Sequence, residues 1–271
     1  MNKNEIVVLF SGGTDSTLAA ALVSQQFSRV HLVTYRRFGF FRVKNSTFNV
    51  HKLQEKYGQE KFSHAIIDVD AITRFVFYSR YFYYWRKFGF FLLSNCGLCK
   101  LAMHMQTILY CLDNQVAHVC DGANQGMNIF PAQMKRGVEM IKDLYAEFGV
   151  MYSNPVFDFD GYKETGFVER LRLDKMIPAT DTGEEDSNSN TAGSRLYELG
   201  LMPSKDVKGS RMDHQMQGRC FQLILFNIFV KAYYLYDHSY DEYEQEMMRF
   251  YSEKVNDGMQ YLKKQCLSKT T

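Results

Sequence analysis

The sequence predicts an α/β protein built on a doubly wound, parallel, five-stranded sheet with a helical C-terminal part. Three observations carry this expectation. A short β-rich run, Glu5–Phe10, leads at once into a glycine turn, Ser11-Gly12-Gly13-Thr14-Asp15-Ser16-Thr17, and then into the helix-forming run Leu18–Val23. Strand and helix signals keep alternating up to Val156. A chain of 271 residues, 46% of them apolar, is long enough to bury one large domain or a domain with an appendage.

The elements follow in order. Arg29–Tyr35 is a second strand. Phe48, Val50, Leu53 and Tyr57 form a rough helical stripe that stops near Gly58. Ala65–Val69, closed by Asp68 and Asp70, is a third strand. Leu101–Leu112 reads as helix and Val116–Cys120 as strand, before Asp121-Gly122. Ala132–Phe148 is helical up to Gly149, and Val150–Val156 is the fifth strand. Tyr162–Lys175 reads as helix. Pro178–Arg219 is polar, lacks periodicity and reads as a long loop or lid. Phe221–Tyr236 and Tyr240–Gln265 read as two C-terminal helices.

Composition excludes several classes. Lys+Arg is 32 and Asp+Glu is 30, so the chain is not grossly polybasic, although a local basic face is allowed. Six cysteines are too few for a disulfide scaffold. Glu5 interrupts the N-terminus, and Ile6–Phe10 is too short for a signal-peptide core. Phe221–Val230 is too short to span a bilayer and contains Asn227. The expectation is a soluble, cytoplasmic protein with no membrane partner and with free or metal-bound thiols.

The glycine turn carries the strongest chemical signal. Two glycines let the backbone bend tightly and come close to a ligand. The helix that follows offers unpaired N–H groups and the positive end of its dipole. Ser11, Thr14, Ser16 and Thr17 add hydroxyl donors. This is a phosphate cradle. It lacks the lysine of a Walker A loop and the third spaced glycine of a dinucleotide fingerprint.

SGGTDS resembles the SGGxDS signature of the PP-loop ATP pyrophosphatase superfamily, over about residues 4–158. The resemblance implies a Rossmann-like sheet of the HUP type, the adenine nucleotide α-hydrolase fold. It also implies cleavage of ATP between the α- and β-phosphates, adenylation of a substrate and release of pyrophosphate. Ser11, Gly12, Gly13, Thr14, Asp15 and Ser16 would then bind the nucleotide, with Asp15 the candidate for Mg²⁺ and for a catalytic role. On this basis residues 1–160 form the nucleotide-binding domain, and residues 161–271 form a loop and helical region that completes the substrate site.

Cys96-Gly97-Leu98-Cys99-Lys100 is expected just before a helix. A CxxC pair suits a metal, a cluster or a redox couple, and Lys100 and the helix N-terminus would favour thiolate. Cys220 is the most attractive third partner. Cys96, Cys99 and Cys220 resemble the three-cysteine pattern of the sulfur-transfer and tRNA-thiolation branch of the superfamily. That resemblance implies an iron–sulfur cluster on the three, with Cys99 and Cys220 in catalysis. Zn²⁺ is the alternative, with His104 or His214 completing the site. Cys111, Cys120 and Cys266 read as bystanders.

Asp121-Gly122-Ala123-Asn124 follows a strand end, where α/β proteins bind ligands. It resembles the GxN segment of thiolating PP-loop enzymes and makes Gly122 and Asn124 nucleotide-binding candidates, with Arg136-Gly137 on the next helix. Gln125, Gly126 and Met127 stand where such relatives carry two acids. The order CxxCK, GxN, Arg-Gly is also similar to that of the sulfur-insertion enzyme of the lactate racemase nickel cofactor.

Charge is segregated along the chain. No acid falls between Arg29 and Gln54, or between Ala71 and Leu112. The acids gather at Asp181, Glu184, Glu185 and Asp186 and again at Asp241, Glu242, Glu244 and Glu246. Arg36-Arg37-Phe38-Gly39-Phe40-Phe41 is echoed by Arg86-Lys87-Phe88-Gly89-Phe90-Phe91. The rings between Phe75 and Trp85 interleave with basic residues. Such a pattern suits looped RNA, and it equally suits a core or a homodimer interface.

Together these features suggest an ATP-dependent adenylating enzyme that transfers sulfur to tRNA or to a nucleotide-like small molecule, drawing on a sulfur donor. Two alternatives stand beside it: adenylation-driven nitrogen transfer with structural zinc, as in amide- or deazaguanine-forming ligases, and a non-catalytic nucleotide-binding protein.

Overall fold

A computed structural model describes residues 1–159, 190–205, 207 and 210–270. Five parallel strands form the main sheet: β1 (Asn2–Leu9), β2 (Arg29–Arg36), β4 (Phe62–Asp68), β5 (Val116–Asp121) and β6 (Met151–Ser153), in the order β4-β2-β1-β5-β6. The predicted doubly wound sheet is present, with a shorter fifth strand than Val150–Val156. A two-residue strand, β3 (Phe40–Phe41), pairs antiparallel with β7 (Arg219–Cys220) in a separate ribbon that local patterning does not signal.

The central strand β1 is buried on both faces, as parallel strands between helices must be. Its period-2 alternation therefore serves two cores. Val7 and Leu9 face one core with Val33, Tyr35 and Val119, covered by α3 (Asp70–Tyr78), α5 (Asn95–Asn114), α6 (Lys135–Ala146) and the C-terminal α10 (Tyr240–Thr270). Ile6, Val8 and Phe10 face the other with Val30, Leu32 and Cys120, covered by α1 (Thr14–Val23), α2 (Thr47–Tyr57) and α7 (Ala192–Glu198). The alanine run Ala19-Ala20-Ala21 of α1 is fully buried, because small side chains let this helix sit close between sheet and α7.

Three expectations are corrected. The CxxC motif does not precede its helix, since α5 begins at Asn95 and both cysteines lie in its first turns. The described part of Pro178–Arg219 is not continuous loop: it contains α7, capped by the Thr191 hydroxyl accepting from the Ser194 N–H, and the short α8 (Asp213–Met216). The helix expected at Phe221–Tyr236 is α9 (Gln222–Asn227) running into a π-helical segment, Ile228–Tyr234. The expected helix Tyr162–Lys175 and the acids Asp181, Glu184, Glu185 and Asp186 lie outside the described residues. No single helix among the described residues is long and apolar enough to cross a membrane.

The second basic–aromatic stretch forms α3 and α4 (Tyr81–Phe88), and α10 folds back over both. Asp257 accepts from Arg80 and from the Tyr84 hydroxyl, at 2.9 and 2.7 Å, and Glu253 pairs with Lys87. The fully buried Lys254 ammonium donates to the Val76 carbonyl at 2.8 Å and lies over the Tyr84 ring. Burial lowers its pKa to about 8, against the pull of Asp257. Tyr84, Phe88 and Phe91 join the core, whereas Tyr78, Phe82 and Trp85 stay exposed. Phe250 of α10 is fully buried, edge-on to Tyr84 and Phe88. Its truncation to alanine should cost about 3–5 kcal/mol, the usual penalty for emptying a large aromatic site. Urea unfolding of Phe250→Ala checks this, and a loss below about 1 kcal/mol would show that α10 is not integral to the core.

Candidate functional site

The sheet order reverses on either side of β1, so the C-terminal ends of β1 and β5 flank a switch-point crevice. The glycine loop leaves β1 there, and Asp121-Gly122 leaves β5 beside it, with Leu9 and Asp121 in register. The contact is tight. A Cβ on Gly122 would lie 2.5 Å from the Ser16 amide nitrogen, so only glycine lets the two backbones meet.

Within the loop, Gly12 has φ +83°, which favours glycine, and Gly13 caps α1. The Ser11 hydroxyl accepts from the Gly13 N–H at 3.2 Å and lies 3.1 Å from the Ser16 hydroxyl. The Ser16 and Thr17 hydroxyls donate to the Gly13 carbonyl, at 3.2 and 2.7 Å. Thr14 and Asp15 are partly exposed at the helix start. Three residues that the motif did not reveal complete the loop. Buried Asn49 donates to the Gly12 carbonyl at 2.7 Å, and the segment Met216-Gln217 closes over the glycines. A Cβ on Gly12 would lie 2.3 Å from the Met216 carbonyl oxygen, and one on Gly13 would lie 2.6 Å from Gln217 Oε1.

Asn124 is buried, and its polar atoms serve the local backbone. Its Oδ1 accepts from the Gly126 N–H at 2.7 Å, and its amide donates to the Phe159 carbonyl. Gly137 allows α6 to approach Pro131, whose carbonyl oxygen would lie 1.9 Å from a Cβ there.

Asp121 is fully buried. Its carboxylate accepts from the Ala123 N–H at 2.9 Å and the Asn154 amide at 2.7 Å, and it pairs with Lys100 at 2.6 Å. Burial alone would raise its pKa, but Lys100, His104 and these hydrogen bonds hold it below the usual carboxylate range. The Lys100 ammonium is thus engaged at the β5 end.

Arg37, just past the end of β2 and 4% exposed, brings the sulfurs together. Its Nε donates to Cys99 Sγ at 2.6 Å, its Nη2 to Cys220 Sγ at 2.9 Å, and its Nη1 to the Phe38 carbonyl. Sequence patterning marked Arg37 only as part of the RRFGFF echo. Cys96 is close enough to feel both other thiols and Arg37. Burial pushes the Cys96 thiol up strongly and Cys99 up to about 11, although Arg37 pulls Cys99 down. Three sulfurs suit zinc or a cluster chemically. As arranged, a guanidinium occupies the space between two of them, and among the described residues no three His, Cys, Asp or Glu side chains are set to hold a metal ion. Cys111 and Cys120 are buried in the core, and Cys266 is on α10. His104 turns toward Tyr145 and Asp121, and His214 is exposed on α8.

Residues 5–79 match the family model of the queuosine biosynthesis protein QueC. That span holds the glycine loop, α2 with Asn49, and Arg37. The match falls on the segment whose SGGTDS loop resembles the PP-loop ATP pyrophosphatase signature. The match covers little more than a quarter of the chain. Among curated proteins none matches. Two solved structures are similar at low overlap. One is a predicted subunit of tRNA methyltransferase from Methanocaldococcus jannaschii, with 20% identity, TM-score 0.37, and coverage of 80% of this chain and 96% of that one. The other is the U34-tRNA thiolase NcsA from Methanococcus maripaludis with its [4Fe-4S] cluster, with 14% identity, TM-score 0.37, and coverage of 94% and 72%. Likenesses this weak carry no functional weight.

Burial also lowers the His104 pKa to about 3, with Lys100 adding to the effect and Asp121 opposing it. His104 is therefore neutral at physiological pH, and its 3.8 Å approach to Asp121 is not an ion pair. The unfolded imidazole takes up a proton near pH 6.5 and the folded one does not. His104 thus contributes stability that is present above about pH 6.5 and is lost as pH falls toward about 3. In urea unfolding across that range, His104→Gln should show a shallower loss than the wild type. Equal pH slopes would overturn the assignment.

Proposed function

We propose that this protein adenylates an acceptor with ATP and transfers sulfur to it from the cysteine site, the acceptor being tRNA or a nucleotide-like small molecule. One observation supports this above others: the loop and the thiols form a continuous chain of contacts along one sheet edge. Gly122 rests on Asp15 and Ser16. Asp121 holds Lys100, the residue after Cys99, and Arg37 joins Cys99 to Cys220.

The acceptor's carbonyl oxygen attacks the ATP α-phosphorus, and the bond to the bridging oxygen breaks to release pyrophosphate. The N–H groups at the start of α1 and the Ser11, Thr14 and Ser16 hydroxyls stabilise the charge that develops on the leaving group. Asp15, a partly exposed carboxylate at that helix start, fits a Mg²⁺ ion, which would neutralise pyrophosphate charge when bound. Hydrosulfide from a separate donor, received beside Cys99 and Cys220, then attacks the activated carbon, and AMP leaves carrying the acceptor's oxygen. An iron–sulfur cluster or zinc on Cys96, Cys99 and Cys220 would require Arg37 to withdraw, so no step is assigned to either.

The QueC match supports a second reading, in which nitrogen displaces AMP and the cysteines are structural. ATP–pyrophosphate exchange and product analysis separate the two. Ser16→Ala should lower exchange about 10²–10³-fold, the scale of one lost donor to a developing oxyanion. Cys220→Ser should keep exchange and lose sulfur incorporation. Retained product formation with ammonium in Cys220→Ser would favour the second reading, and absence of exchange in the wild type would overturn both.

A further inference from the structure

We propose that the β3–β7 ribbon is a stacking platform for single-stranded RNA, placed at the mouth of the Arg37–Cys220 site. This deepens the proposed function, on which the choice of RNA as acceptor rests. The ribbon sets Phe40 opposite Cys220 and Phe41 opposite Arg219, and the Phe221 N–H donates to the Gly39 carbonyl at 3.1 Å. Three rings flank Cys220 and face outward: Phe38 is 83% exposed, Phe41 61% and Phe221 62%. Rings this exposed contribute nothing to the core and are costly to leave in water.

Cations surround them. Arg42, Lys44 and Arg219 are exposed, and none has an ion-pair partner among the described residues. Arg42 also holds φ +57°, a region unfavourable to a residue with a side chain. Acids on the neighbouring elements are engaged: Asp68 pairs with Arg36, Asp70 accepts from the Phe38 N–H at 2.7 Å, and Asp213 accepts from the Gln217 amide at 2.8 Å. Unpaired positive charge beside open rings fits a polyanion with π-faces. Bases stack on exposed aromatics, and phosphates seek the cations.

The echoed segment makes the contrast clear. In 86–91, Phe88 and Phe91 are buried, and Lys87 is neutralised by Glu253. Arg80, upstream, is neutralised by Asp257. The second copy buries Phe88 and Phe91 and pairs Lys87, whereas the first pairs Arg36 with Asp68, buries Arg37 between the thiols and leaves the Phe38 and Phe41 rings open. A nucleobase held on the ribbon would lie next to Cys220, where sulfur must be delivered.

The test is fluorescence anisotropy of a labelled single-stranded oligoribonucleotide with the full-length protein, over a salt series, with the same sequence as duplex for comparison. Phe38→Ala and Phe41→Ala should each weaken single-strand binding about 5- to 100-fold and leave the salt slope unchanged. Arg42→Gln and Lys44→Gln should each reduce the slope by about 0.7. Phe82→Ala, an exposed ring on α4, should bind as wild type does. A wild type that does not bind, that prefers duplex, or that is indifferent to Phe38 overturns the platform. So does a concentration-dependent dimer that Phe38→Ala dissociates, because the ribbon would then be a self-association face. If the wild type exchanges pyrophosphate but ignores Phe38, only this inference fails. If it binds RNA through Phe38 yet never exchanges pyrophosphate, only the proposed function fails.

Discussion

A buried negative charge at the end of β5 organises this molecule. Asp121 has no access to water, so its charge survives only because four groups face it: Lys100, the Ala123 N–H, the Asn154 amide and, further off, His104. They come from three places: α5 supplies Lys100 and His104, the turn after β5 supplies the Ala123 N–H, and the exit of β6 supplies Asn154. Lys100 ties the first turns of α5 to the strand end and so fixes the adjacent Cys99. The turn through Ala123 sets Gly122 against the glycine loop. Asn154 anchors the exit of β6, and His104 carries the constraint into the core beside Tyr145 and Tyr152. The glycine loop and the thiols are held at one edge by a single desolvated carboxylate.

A second buried charge acts on the sulfur side. Arg37 has lost most of its water, and burial works against its charge, but Cys99 and Cys220 restore it. The guanidinium presents fixed, planar donors, so it sets the spacing and orientation of two thiols from distant segments. Its loss would remove the side-chain link between Cys99 on α5 and Cys220 on β7. The same residue anchors the ribbon, through its bond to the Phe38 carbonyl.

The segregated charge has two different outcomes. Lys87 of α4 and Arg80 just before it meet carboxylates of α10, so their positive charge is neutralised within the fold and helps hold the C-terminal helix. Arg42, Lys44 and Arg219 around β3 meet no such partner among the described residues. A net charge of +2 averages over both and conceals the difference.

The sheet and the glycine loop were legible in the sequence because they are local. Strand, turn and helix depend on alternation, on two glycines and on capping within about twenty residues, and β1, α1, β2 and α2 fall where the pattern put them. Cys96 and Cys99 were legible as a pair for the same reason. Cys220 was singled out by its place after the polar loop and at a helix start, and then by resemblance, and the sequence could not say what stands between it and Cys99. Arg37 bonds Cys99 across 62 residues and Cys220 across 183, and Met216-Gln217 reaches the loop from the far end of the chain. Composition and spacing hold no record of such meetings. The sequence by itself determined a glycine loop between strand and helix on a parallel sheet, and a set of thiols. Only the tertiary structure decided that a guanidinium joins those thiols and which of two similar basic–aromatic segments stays open. Both outcomes depend on which distant charges and rings packing brings into contact.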